Sequence, residues 1–199
     1  QFLKDNIYII CLVSFIIVIM IYRNKDNLFK IDTNDLEKTY TTTKIPKIIW
    51  IYWNDPINQA PAIVQVCVNL IQKFNKEFSV RILNETSYKE YVSDPVVIAV
   101  MESKLNHNYK SDLLRLYLIY EYGGIYTDAS VLPFRSFEWI IDLMNKSDKD
   151  ILMYQNTQHT TIKTKPVCEN WMIVAKDKNE IIQLIMNDFK KSLKDGVLI

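Results

Sequence analysis

The chain has 199 residues, with 24 Lys and Arg against 23 Asp and Glu, and a formal net charge of +1. That balance lacks the basic excess of a nucleic-acid-binding domain, so no nucleic acid is expected as a partner. Abundant aromatics (Tyr 12, Phe 8, Trp 4) argue against a disordered chain.

Residues 7–22 are apolar apart from Ser14. As a helix this stretch rises about 24 Å, slightly short of a ~30 Å hydrocarbon core, and Phe2 and Leu3 could extend it. No small-residue cleavage site follows it, and every face of it would be apolar, so residues 1–22 read as a membrane anchor. Lys4 before the span and Arg23 and Lys25 after it leave the orientation open. Residues 23–44 are polar and charged without apolar periodicity and read as a stem. The globular domain is expected over residues 45–199. The chain starts with Gln and stops just after a helical pattern, so a fragment is among the readings it allows.

Within the domain, residues 45–53 (IPKIIWIYW) form a β-rich apolar run, expected as a buried strand. A loop with two prolines follows, then helical spacing over 62–74. Residues 78–83 alternate like a strand. Helices are expected over 96–105 and 111–122, a short strand over 125–131 and a helix over 137–145. Strands are expected over 151–155 and 171–175, and a long amphipathic helix over 179–193. Strands alternating with helices imply an α/β domain with a mostly parallel sheet, whose ligand site lies beyond the carboxyl ends of the strands.

The informative stretch is residues 109–131, YKSDLLRLYLIYEYGGIYTDASV. Of three glycines in the chain, Gly123 and Gly124 stand together between a helix and a strand. They read as a left-handed helix cap and a tight turn, a structural feature only. Asp128 lies near the end of an apolar strand. A carboxylate there either faces water or caps a turn, or it is paired or metal-bound, because unpaired burial is costly. Ser111 can cap the helix, which places Asp112 in the first turn against the positive end of the macrodipole. Arg115, one of four arginines, shares a face with Asp112 and could simply pair with it. Its fork also suits phosphate oxygens. Trp50 and Trp53 can stack on a nucleobase or serve the core, one buried and the other exposed. Cys67 and Cys168 could pair, but Cys11 leaves an odd count, and no CxxC or Cys/His cluster suggests zinc.

The runs IPKIIWIYWNDP, SDLLRLYLIYEYGGIYTDAS and ENWMIVAK together resemble the DXD-type sugar transferases. The nearest group is the capsular-polysaccharide-synthesis and initiating-mannosyltransferase-like proteins, with the glucosylating clostridial toxins as distant relatives. The resemblance spans about residues 45–180. It implies a GT-A fold, a Rossmann-like α/β domain. It also implies a nucleotide-diphosphate sugar donor, UDP- or GDP-linked, a divalent metal (Mn²⁺ or Mg²⁺), and retention of anomeric configuration. By the same resemblance, Trp50 stacks on the donor base, Asp112 and Arg115 hold the donor sugar and phosphates, and Asp128 is the first Asp of DXD. The second Asp is replaced by Ser130, a weaker, neutral ligand, as in the Asp-Ala-Thr of the capsular branch. Neither His107 nor His159 is an evident substitute ligand.

The expected activity is therefore a glycosyltransferase moving a hexose to a glycan, glycolipid or other hydroxyl acceptor. Asp128, Arg115 and Asp112 would carry catalysis, with Asp128 and Ser130 at the metal. The rivals are a non-catalytic nucleotide-sugar or glycan binder and a membrane-tethered interaction scaffold. The anchor and the resemblance together suggest a single-pass type II placement, Golgi- or ER-like in a eukaryote. Two sequons, Asn84-Glu85-Thr86 and Asn145-Lys146-Ser147, would be glycosylated only in a secretory lumen.

Overall fold

The first strand is apolar at every position because both of its faces are covered. It is β1, Ile48–Tyr52. Ile49 and Ile51 point into one core layer, and Trp50 and Tyr52 into the other, the period-2 alternation of a strand inside a three-layer domain. The computed structural model describes residues 45–147 and 149–194. The expected anchor and stem lie outside the described residues. Among those described, no helix is long and apolar enough to cross a membrane.

The elements follow in chain order. After β1 come a 3₁₀ turn (Ile57–Gln59), α1 (Ala62–Phe74), β2 (Ser79–Leu83), a second 3₁₀ turn (Ser87–Glu90) and α2 (Pro95–Glu102). Next are α3 (His107–Tyr122), β3 (Gly124–Thr127), α4 (Glu138–Asn145), β4 (Ile151–Gln155), β5 (Cys168–Ala175) and α5 (Glu180–Lys194). The sheet order is β2-β1-β3-β5-β4. β1 pairs in parallel with β2 and β3, while β5 is antiparallel to both β3 and β4. Four strands therefore share one direction and β5 alone opposes it, so the expected mostly parallel sheet is observed with one reversed member. Residues from α2, α3 and α5 build the core on one face, and residues from α1 and α4 on the other.

Several boundaries differ from the sequence expectation. Helix α3 starts at His107, four residues before Ser111, with the Asn106 side chain accepting from the Asn108 amide at 3.0 Å. The missed turn opens with the polar, exposed His107 and Asn108 and so shows no apolar periodicity. Asp112 consequently lies in the second turn, where the macrodipole is weaker. Strand β3 stops at Thr127, and Asp128 begins a turn closed by the Val131 amide on its carbonyl at 3.1 Å. α2 is capped by Asp94, whose Oδ1 accepts from Val96 and Val97, with Pro95 in the first turn.

The glycine pair joins α3 to β3. Gly123 has φ 64° and ψ −164°, a positive φ but with an extended ψ, outside the left-handed helical region expected of a cap. Gly124 has φ 97°, and a Cβ added there would sit 2.5 Å from the Ile48 carbonyl oxygen. Both positions need a residue without a side chain, for conformation and for close approach. Gly124→Ala is expected to cost about 1–3 kcal/mol and to lower the melting temperature by roughly 5 °C, measurable by thermal denaturation.

Candidate functional site

The carboxyl ends of β1 and β3, the first turns of α3 and the start of β5 surround one cleft. It encloses ≈ 390 Å³ and is lined by Tyr52, Trp53, Asn54, the His107–Asn108 turn, Ser111, Asp112, Arg115, residues 128–130 and Asn170. That volume lies within the ~300–1,000 Å³ usual for small-ligand sites. It lies where the sheet topology expects it.

Arg115 is the centre of the cleft. Its side chain is 7% exposed, and α3 delivers it toward the strand ends. Nη2 lies 3.2 Å from Asp112 Oδ1 and 3.3 Å from Asp128 Oδ1. Nη1 donates to the Asn170 carbonyl at 2.6 Å, and Nη2 donates to Ser111 Oγ at 3.1 Å. The guanidinium lies over the Tyr126 ring, 4.8 Å from its centroid, a favourable cation–π placement. Ser111 therefore does not cap the helix. Its hydroxyl, 3.2 Å from the Tyr126 hydroxyl, buttresses Arg115 instead.

Burial pushes the carboxyl of Asp112 above the usual carboxylate range, partly offset by Arg115 and by the Asn170 amide, which donates to Oδ1 at 2.9 Å. Burial likewise raises Asp128, with Arg115 offsetting, Asp112 adding like-charge repulsion and the Tyr126 hydroxyl offsetting again. Burial pushes the Tyr126 phenol up to about 12, so it remains a neutral hydroxyl at working pH.

The structure thus brings Asp112, Arg115, Asp128 and Ser130 into one cleft. It does not bring Trp50 there. Trp50 is 1% exposed, its indole donates to the Gly123 carbonyl at 2.9 Å, and its ring packs against Tyr91 and Tyr122. The inward pleat of β1 aims it into the core, so base stacking by Trp50 is corrected: no face of it is open to a ligand. Trp53, just past the strand end, lines the cleft instead. Asn170 and Tyr52 are cleft residues that sequence reasoning missed. Asn170 stood inside the ENWMIVAK run, but nothing in an isolated Asn signals its contacts.

Two polar atoms at the β1 end are buried without a protein partner, Tyr52 Oη and Trp53 Nε1. Such groups are ordinarily satisfied by water or ligand. Among the described residues, no group of three or more His, Cys, Asp or Glu is placed to hold a metal. Cys67 and Cys168 are not bonded to each other: the first is buried under the cleft with Sγ 3.5 Å from the Ser130 carbonyl, and the second is exposed on β5.

The fold is similar to that of the PaToxG glycosyltransferase structure. The two share 18% identity at a TM-score of 0.51, over 76% of this chain and 62% of the other. Residues 21–193 match the family described as capsular polysaccharide synthesis protein, and the chain belongs to that family. It is 28% identical over 164 residues to the O-glycosyltransferase braB of Annulohypoxylon truncatum, covering 75% of this chain and 38% of that protein. It is 28% identical over 101 residues to the glycosyltransferase afumC of Aspergillus fumigatus, covering 45% of this chain and 26% of that one. The chain therefore spans well under half the length of these curated relatives.

Removing Arg115 would leave two half-buried carboxylates facing each other. Arg115→Ala is expected to cost about 3 kcal/mol at pH 7, read by urea denaturation. Because both folded-state carboxyls already titrate above their ordinary range, the deficit should shrink as pH falls and they protonate.

Proposed function

We propose that this domain transfers a hexose from a UDP- or GDP-linked donor to a hydroxyl of a glycan or glycolipid. The observation that carries this reading is Arg115, buried and held between Asp112 and Asp128 on the floor of the cleft. The family and the transferase relatives support it.

The charge of the trio bears on the cofactor. Two carboxylates and one guanidinium sum to a net negative site, which would repel a diphosphate. Asp128, with Ser130 beside it in the cleft, would hold a divalent cation that offsets this negative charge. Mg²⁺-type ions are commonly held by one or two carboxylates plus substrate phosphates, not by an all-protein cage, so a single carboxylate with the neighbouring Ser130 hydroxyl fits that mode. When bound, the ion supplies electrostatic stabilisation of the charge that develops on the departing nucleoside diphosphate.

The chain's own residues divide the remaining work. Arg115 presents a fixed positive charge toward the diphosphate, with its fork already oriented by Asn170 and Ser111. Such preorganisation spares reorganisation during the reaction. Asp112 accepts a hydrogen bond from a hydroxyl of the donor sugar, orienting the anomeric carbon toward the acceptor. Trp53, which lines the cleft just past the end of β1, offers the base a ring face. The acceptor hydroxyl attacks the anomeric carbon on the face from which the diphosphate departs, so that configuration is retained, and its proton passes to the departing diphosphate oxygen. The apolar segment at 7–22 would hold the domain at a membrane in type II orientation, near a glycolipid or glycan acceptor.

A second reading, a nucleotide-sugar or glycan binder without turnover, draws on the neutral Ser130 in place of a second carboxylate. Release of nucleoside diphosphate from a donor separates the two.

Calorimetric titration of the chain with UDP, GDP and their hexoses, with and without Mn²⁺, is expected to give Mn²⁺-dependent binding that Asp128→Ala abolishes. No binding by a folded sample would defeat the proposal. Cation and proton compete for Asp128, and burial raises its carboxyl above the ordinary Asp value. Mn²⁺-dependent affinity should therefore decline on acidification at a higher pH than a solvent-exposed Asp would give.

A further inference from the structure

We propose that Asn170 is a positioning residue for the transfer, holding Asp112 and Arg115 in register from the neighbouring strand. The inference rests on the function proposed above and deepens it. Asn170 contacts both members of the α3 pair at once. Its side-chain amide donates to Asp112 Oδ1 at 2.9 Å, and its backbone carbonyl accepts from Arg115 Nη1 at 2.6 Å. The next residue, Trp171, accepts from the Asp128 amide through its carbonyl at 2.8 Å. Two consecutive residues of β5 therefore hold the Asp112 carboxylate, the Arg115 guanidinium and the backbone of Asp128 to one strand.

The contacts on Asp112 are one-sided. Arg115 Nη2 and Asn170 Nδ2 both converge on Oδ1. Asp112 lines the cleft, and its Oδ2, which neither of these donors engages, is assigned to a ligand hydroxyl. Loss of the amide would leave the carboxylate able to rotate about its terminal torsion, which is broad for Asp.

The local sheet geometry accounts for this placement. β4 and β5 pair regularly from Ile151 to Met153, then the register shifts between Met153 and Tyr154, so that Tyr154 faces Glu169. The surplus residues of β5 lie in that irregular stretch, and Asn170 is one of them. Irregularities of this type re-aim side chains and occur beside active sites. Asn170 is itself exposed, lining the cleft without contributing to the apolar core. It can thus be replaced without opening a cavity, and in Asn170→Ala the backbone bond to Arg115 survives.

The test is a double-mutant cycle on the full chain, reading release of UDP or GDP from their hexoses with Mn²⁺. Asn170→Ala should lower kcat about tenfold, the worth of a hydrogen bond to a charged group, with KM for the donor changing much less and the melting temperature unmoved. Asn170→Asp, the same shape with the wrong charge toward Asp112, should be worse than Asn170→Ala. In the Asp112→Ala background, Asn170→Ala should add less than about twofold, because the residue it acts through is gone. Effects that multiply in the double variant, or an Asn170→Asp enzyme as active as the parent, overturn the inference. A parent that turns over donor and loses it in Asp112→Ala but not in Asn170→Ala overturns this inference alone. A folded parent that neither binds nor cleaves any of these donors overturns it together with the function on which it rests.

Discussion

The architecture of the site depends on a backbone contact that tolerates no side chain. Gly124 passes so close to the Ile48 carbonyl that a Cβ would overlap it, and this proximity lets β3 lie beside β1 immediately after α3 ends. Helix and strand are thereby folded back on each other within two residues. The helix delivers Asp112 and Arg115, and the strand delivers Asp128. Without the tight reversal the three charged groups would be adjacent in sequence terms and separated in space.

Around that reversal, the protein places charge where charge is expensive and compensates it locally. Arg115 is almost fully enclosed, yet its nitrogens contact two carboxylates, a carbonyl and a hydroxyl, and its plane rests on Tyr126. The carboxylates pay for this with raised proton affinity, because burial outweighs a single shared counter-charge. An arrangement left short of positive charge is consistent with the cation-assisted donor site proposed above.

Much of this was legible in the sequence, for physical reasons. β1 could be read because a doubly covered strand is uniformly apolar, and α1 and α5 because one face of each is apolar at helical spacing. The Gly-Gly pair marked the reversal, since so few other glycines compete for attention. Asp112, Arg115 and Asp128 drew notice as charges in an apolar stretch, but the residues alone left structural roles open, and only the family resemblance selected them as site residues. What could not be read depended on three-dimensional placement. The first turn of α3 carries His107 and Asn108, whose polarity reflects the cleft and not a helix face. The aim of Trp50 against Trp53 depends on the pleat of β1 and on where the strand ends. The reversal of β5 and the register shift that delivers Asn170 are consequences of sheet assembly, which no local run of residues encodes.

The reversed strand has a further effect, on how the domain can diversify. Because β4 runs with β1 and β3 while β5 runs against them, the segment 156–167 between them emerges at the same pole as the cleft. That segment is largely exposed, is closed by its own bonds from the Asn156 amide to the Val167 carbonyl and from Thr160 to the Asn156 carbonyl, and carries little of the core. Exposed connections of this type accept insertions and substitutions that strands reject. Descendants of such a chain could remodel the rim at this pole while the charged floor of the cleft stays unchanged.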